Sequence, residues 1–194
     1  MARRLYNHGD QNIVVLKVAQ SGTTLTSPPA LWTPRTGSLY QRLVNDSHLL
    51  EQNEAARGIS ASVGAVVWYQ GEFDATPAAA PHYQAALQQF ISDLHPDLGL
   101  AVNTPLILVK MEMAYDYYSQ LLNGQMDLAR WEVWNRANDE VRAADDWASA
   151  NMPSVYTVDS AGLPRISDTV HLSDLSEMTL GSEIGSKLLA VGTT

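Results

Sequence analysis

Asp168 and His171 stand three residues apart in the run Asp168-Thr169-Val170-His171-Leu172-Ser173 of a 194-residue chain. An aspartate so spaced from a histidine in a loop can set its carboxylate against the ring Nδ1, fix the tautomer and leave Nε2 as a general base. The same run also reads as a solvated turn in which Ser173 or Asp174 caps a following helix. A second chemistry-bearing run is Trp68-Tyr69-Gln70-Gly71-Glu72. A glutamine just after a buried strand can aim its amide at a developing negative charge, and the adjoining glycine permits a positive φ or a close backbone approach. A strand-ending turn with a packed aromatic pair accounts for the same residues. The third run is Ala19-Gln20-Ser21-Gly22-Thr23-Thr24. Here the Gly22 N–H is either a usable oxyanion donor at a strand-to-loop corner or part of a polar turn. It is no phosphate loop, because the lysine that should follow the glycine is absent and Lys17 precedes it.

The elements that must position these runs are legible from periodicity. Short apolar, β-branched runs at Ile13 to Val18, Val63 to Tyr69, Leu106 to Lys110 and Val155 to Val158 predict strands covered on both faces. Between them, Leu39 to Ala56, His82 to Leu94, Trp131 to Trp147 and Leu175 to Leu189 carry apolar residues at helical spacing. Prolines at 28, 29, 77, 81, 96, 105 and 153 fall between the periodic segments. Strand alternating with helix implies a three-layer α/β/α sandwich on a mostly parallel sheet. In such sheets function collects in the loops after the carboxyl ends of the strands, which is where all three runs fall.

Composition narrows the function classes. With 45% hydrophobic and 17% charged residues the chain suits a single soluble globular domain spanning 1–194. There is no cysteine, which removes disulfides, zinc ribbons, iron–sulfur clusters and thiol nucleophiles while leaving the compartment open. The 12 Lys and Arg against 21 Asp and Glu give a net charge of −9 and form no basic stripe of the kind nucleic acid requires. No apolar run approaches the roughly 20 residues of a membrane span, and Met1-Ala2-Arg3-Arg4 leads into a polar stretch rather than a signal-peptide core. No localisation signal is readable.

Taken together, the three runs resemble the carbohydrate acetylesterases of the sialate O-acetylesterase and acetylxylan esterase type, carbohydrate esterase family six of the SGNH-hydrolase superfamily. Lys17 to Leu25 with Trp32 is similar to that family's second block, Val67 to Asp74 to its third, and Val158 to Pro164 through Asp168 to Leu172 to its last. The resemblance runs from about Ala2 to Leu189. It implies His171 as general base, Asp168 as its orienting partner, and Gly22 N–H with the Gln70 side chain as oxyanion-hole donors. Glu72 and Gly71 would shape the site, Glu72 through a hydrogen bond to His171 or a neighbouring loop; a strand-end carboxylate satisfied by backbone N–H groups is the other reading. No metal and no organic cofactor is implied. Ser21 stands where the family usually has glycine and Phe73 where it often has serine.

The larger departure is that the family's Gly-Gln-Ser-Asn block, which carries the nucleophile, has no counterpart in the chain. Met1 to Tyr6 reads as the end of a helix with His8-Gly9-Asp10 as its exit turn, so the first strand of the fold and its serine are expected outside these residues. An upstream segment or a partner chain would then complete the sheet, and the domain would be N-terminally incomplete. Ser21 is the fallback nucleophile, if its Oγ comes within about 3.2 Å of His171 Nε2. The expected function is removal of acetyl groups from acetylated carbohydrate by a Ser-His-Asp mechanism. The alternative is a non-catalytic carbohydrate-binding or assembly module on the same fold. Trp131, Trp134 and Trp147 are expected to pack rather than to form a sugar platform. Met111 to Tyr115 is expected to line the pocket wall, and Tyr115 to Gly124 to form an insertion near its mouth.

Overall fold

The structure is a computed structural model that describes residues 1–9, 12–26, 31–113, 119, 122–167 and 171–192. Its elements run α1 (Ala2–His8), α2 (Ser38–Ala56), β1 (Val66–Trp68), α3 (Ala80–Asp97), β2 (Leu106–Lys110), α4 (Leu128–Asn151), β3 (Val155–Asp159) and α5 (Asp174–Ala190). The strands form a parallel sheet in the order β1-β2-β3, with Val66 opposite Leu106 and Leu106 opposite Val155.

Strand alternation builds the three layers. Val66, Trp68, Leu106, Leu108 and Val155 belong to one core, which they share with Tyr40 of α2, Leu87 and Phe90 of α3 and Val141 of α4. Ile107, Val109 and Val158 face the opposite way, toward Leu180, Ile184 and Leu188 of α5, with Leu5 of α1 packed alongside. Each helix owes its place to one stripe. In α3, Tyr83, Leu87, Phe90, Ile91 and Leu94 are buried at spacings of three, four and one. Pro81 sits in the first turn of α3, where its missing N–H costs nothing. In α4, Ala137, Val141, Ala144 and Ala148 keep the buried stripe small, so the helix approaches the sheet closely. The N-caps are Asp127, which accepts from Arg130 N at 2.8 Å, and Ser173, which accepts from Ser176 N at 3.3 Å.

Two strand expectations change. Ile13 to Val18 lies outside the sheet among the described residues, and Val14, Val15 and Leu16 are 63%, 54% and 39% exposed. An apolar run becomes a strand only where a ladder is offered to it, and among the described residues β1 pairs with β2 alone. The run from Val63 to Tyr69 is ladder-paired only over Val66 to Trp68. Its partner strand begins after Pro105, whose carbonyl accepts Val66 N at 3.0 Å but whose nitrogen has no hydrogen to extend the ladder. The N-terminal helix appears as read, with Gly9 at φ +124 ending α1.

Candidate active site

The carboxyl ends of all three strands meet at one edge. At the end of β1 the chain turns through Gln70 and Gly71. Gly71 takes φ +140, and a Cβ there would lie 2.9 Å from Val141 Cγ1 and 3.4 Å from Met111, so the residue must be glycine for both conformation and space. The turn brings back Asp74, which is wholly buried and accepts four hydrogen bonds from the described residues. Its Oδ2 takes Leu25 N at 2.7 Å and Gln70 Nε2 at 2.7 Å; its Oδ1 takes Thr26 N at 3.0 Å and Thr26 Oγ1 at 2.5 Å. The loop after residue 18 is thereby fastened to the end of β1.

Gln70 is itself buried and uses both amide hydrogens: besides Asp74, Nε2 donates to Thr23 O at 3.2 Å. Its carbonyl O accepts from Tyr83 OH at 3.2 Å. Gly22 is the residue before Thr23, so one hydrogen bond ties the Gln70 amide to the loop that carries the other expected oxyanion donor. Gly22 has φ +72, and a Cβ there would be in ordinary van der Waals contact with the Phe73 ring at 3.8 Å. Trp32 Nε1 donates to Thr23 Oγ1 at 3.1 Å, and Thr23 Oγ1 to Gln20 O at 3.1 Å, fixing the loop from beneath. Ser21 is exposed at the loop's turn.

His171 is held by backbone. Ile166 N donates to His171 O at 2.9 Å, Arg165 and Leu172 form an antiparallel bridge, and Ser173 N reaches Pro164 O at 3.0 Å. The side chain is exposed toward the edge. Asp168 lies outside the described residues, as does the run 114–118. Burial raises the Glu72 carboxyl above the ordinary value, while the nearby backbone N–H groups of Glu72 and Gly71 and the charges of His171 and Arg165 oppose the rise. Glu72 thus lies within electrostatic reach of His171.

Several participants have no local sequence signal. Burial raises the Tyr69 phenol, opposed by the nearby Ser160 hydroxyl. Ser160 is fully buried at the end of β3 and donates to Lys110 O at 2.9 Å, tying the ends of β2 and β3 together. Arg165 donates through Nη2 to Glu112 O, while its Nε is buried without a partner among the described residues. Glu112 in turn accepts Gly162 N at 3.0 Å. Met111 and Met113, expected on the pocket wall, are instead core residues at 1% and 3% exposure, because they continue the buried run of β2. Trp131, Trp134 and Trp147 pack against the core.

A family profile described as carbohydrate esterase, sialic acid-specific acetylesterase matches residues 1–190. An Arabidopsis thaliana protein named a probable carbohydrate esterase is 26% identical over 157 residues, which is 80% of this chain and 49% of that protein. The X-ray structure of the protein from the same Arabidopsis locus superposes with a TM-score of 0.72 at 26% identity, over 97% of this chain and 66% of the other. The chain thus spans about half the length of the curated relative it matches.

Proposed function

Because the chain belongs to the sialic acid-specific acetylesterase family of carbohydrate esterases, we propose that it is an O-acetylesterase-like hydrolase domain whose substrate is acetylated carbohydrate. The observation that carries this reading is the joining of Gln70 to the Gly22 loop through Thr23 and Asp74, at the sheet edge where Glu72 lies within electrostatic reach of His171. The nucleophilic serine comes from outside these residues, on a strand added beside β1. The absence of a Gly-Gln-Ser-Asn block and the exposure of Val14, Val15 and Leu16 outside the sheet support that assignment.

In the completed site the serine oxygen attacks the acetyl carbonyl while His171 Nε2 accepts its proton, with Asp168 stabilising the imidazolium. Gly22 N–H and Gln70 Nε2 hold the tetrahedral oxyanion. For this, Gln70 exchanges its longer bond, to Thr23 O, for the oxyanion and keeps the shorter one to Asp74. The carbon–oxygen bond to the sugar then breaks as His171 protonates the leaving sugar oxygen. Water deprotonated by His171 attacks the acyl-enzyme, releasing acetate and restoring the serine.

The test is labelling with a serine-directed fluorophosphonate, read by mass, alongside hydrolysis of an aryl acetate. The chain alone is expected to remain unlabelled and inactive. With an added synthetic β-strand peptide ending in Gly-Gln-Ser-Asn, the peptide serine is labelled and hydrolysis appears. An adduct on Ser21 with hydrolysis by the chain alone would transfer the nucleophile role to Ser21. Neither adduct nor hydrolysis in the presence of the peptide would leave the non-catalytic module as the function.

A further inference from the structure

We propose that Asp74 is a positioning residue that sets the direction of the Gln70 amide and the placement of the Gly22 loop with one carboxylate. The inference rests on the oxyanion roles given above to Gln70 and Gly22.

An amide side chain has two ends that differ only in hydrogen bonding, so its direction is chosen by what surrounds it. Around Gln70 three groups make that choice. Asp74 Oδ2 and Thr23 O, both pure acceptors, face Nε2 at 2.7 and 3.2 Å, and Tyr83 OH lies 3.4 Å from Oε1. The carboxylate is the shortest and the only charge-bearing partner, and a charged acceptor outweighs a neutral one about twofold. Asp74 therefore holds the amide with its donor toward the Gly22 loop. The same Oδ2 takes Leu25 N at 2.7 Å, and Oδ1 takes both Thr26 donors, across 48 or 49 residues of sequence. Loop and amide are thus referred to one rigid point on the turn after β1, itself fixed by Asp74 N donating to Gly71 O at 3.0 Å. No water competes for this carboxylate, because it is fully buried.

The geometry makes a specific demand on Asp74→Asn. Every partner of the two carboxylate oxygens among the described residues donates to them, so the new NH2 group must face donors on one side. Neither Leu25 N nor Thr26 N can become an acceptor, so one of them loses its partner. With the NH2 at the Oδ2 position, Gln70 turns its amide over to accept it and Leu25 N is freed; with the NH2 at the Oδ1 position, the Thr26 hydroxyl turns to accept it and Thr26 N is freed. Either way Gln70 loses its charged partner. In the double variant D74N/Q70E, the new carboxylate at position 70 accepts from the NH2 at position 74, which turns the carbonyl at position 74 toward both Thr26 donors; Thr26 N is held again, Leu25 N is not, and position 70 carries no oxyanion donor.

Nuclear magnetic resonance on the 15N-labelled chain reads both effects. In the parent, Gln70 should show two well-separated side-chain NH2 proton signals that exchange slowly with solvent. In D74N these signals move and the Leu25 or the Thr26 amide exchanges about 10- to 100-fold faster, while Ile107 and Leu108 in β2 keep their parental rates. In the strand-completed esterase, D74N lowers kcat by up to about 10²- to 10³-fold with KM nearly unchanged, the full loss of one oxyanion donor being reached where Gln70 is reversed. D74N/Q70E protects the Thr26 amide and leaves the Leu25 amide fast, with kcat still low. The proposal is overturned if the Gln70 signals are unchanged in D74N, if the β2 amides accelerate by the same factor as the freed loop amide, or if D74N/Q70E recovers kcat. Should D74N not fold, averaged and freely exchanging Gln70 NH2 signals in the parent overturn it as well. A chain that hydrolyses no acetate under any condition would remove the esterase reading, while the amide signals would still decide whether Asp74 orients Gln70.

Discussion

Gly71 and Val141 are packed so closely that a single methyl group cannot be added between them: a Cβ on Gly71 would stand 2.9 Å from Val141 Cγ1. This contact joins the turn that carries Gln70 and Glu72 to the buried stripe of α4, so the position of the site depends on helix packing.

Gly71→Ala is therefore expected to cost about 2 to 4 kcal/mol, part from φ +140 and part from overlap with Val141. Adding Val141→Ala relieves the overlap and leaves the backbone strain. Urea denaturation of the single and double variants should show partial recovery; full recovery would mean that the positive φ carries no cost.

His171→Ala is expected to leave the fold intact, because the backbone bonds from Ile166 N to His171 O and from Ser173 N to Pro164 O do not use the ring. In the strand-completed form kcat for an aryl acetate should fall about 10⁴-fold, as for loss of the base in a triad. A variant that turns over at the parental rate would remove His171 from the mechanism.

Much of this frame was legible in the chain before its structure. Leu106 to Lys110 is a strand as read, because a run buried on both faces needs no alternation; Val155 to Val158 is a strand that continues to Asp159, and Ser173 caps the last helix as one reading of its turn anticipated. Ile13 to Val18 has the same composition but no ladder among the described residues, and composition cannot report a missing neighbour. Asp74 was visible only as part of a block. Its partners Leu25 and Thr26 are 49 and 48 residues away, so no local spacing signals its role. Asp145 was the more readable omission, since it occupies the apolar stripe of α4 between Val141 and Ala148.

Ser173→Ala should cost about 1 kcal/mol by removing the cap on Ser176 N. The consequence for the site is local. Ser176 Oγ donates to Pro164 O at 2.6 Å and lies 2.8 Å from Ser173 Oγ, so losing the cap loosens the bridge that holds His171. Amide exchange at Ile166, which donates to His171 O, should accelerate more than exchange in β3. Equal acceleration would show that the cap acts only on global stability.

Asp145 gives a pH dependence whose sign follows from its burial. It is 1% exposed, its Oδ2 has no hydrogen-bond partner among the described residues, and desolvation together with Asp146 raises its pKa to about 8 against the pull of Lys110 and Arg142. Tyr83, fully buried on α3, also lies within electrostatic reach. Lys110 is already paired with Asp146 at 2.6 Å and Arg142 with Asp159 at 2.7 Å, so neither cation is committed to Asp145. The folded chain keeps the proton up to about pH 8, whereas the unfolded chain releases it near pH 4. Between those values the folded state binds more protons, so this group makes stability fall as pH rises, by at most about 1.4 kcal/mol per unit, with no further loss above the folded pKa. Asp145→Asn removes that slope. Its own amide adds a cost that does not vary with pH, so the slope and not the level is diagnostic. Across pH 4 to 9, the difference between the urea midpoints of variant and parent should be a fixed offset at the acidic end and should shift in the variant's favour toward pH 8. Parallel curves would mean that Asp145 titrates at its ordinary value in the folded protein.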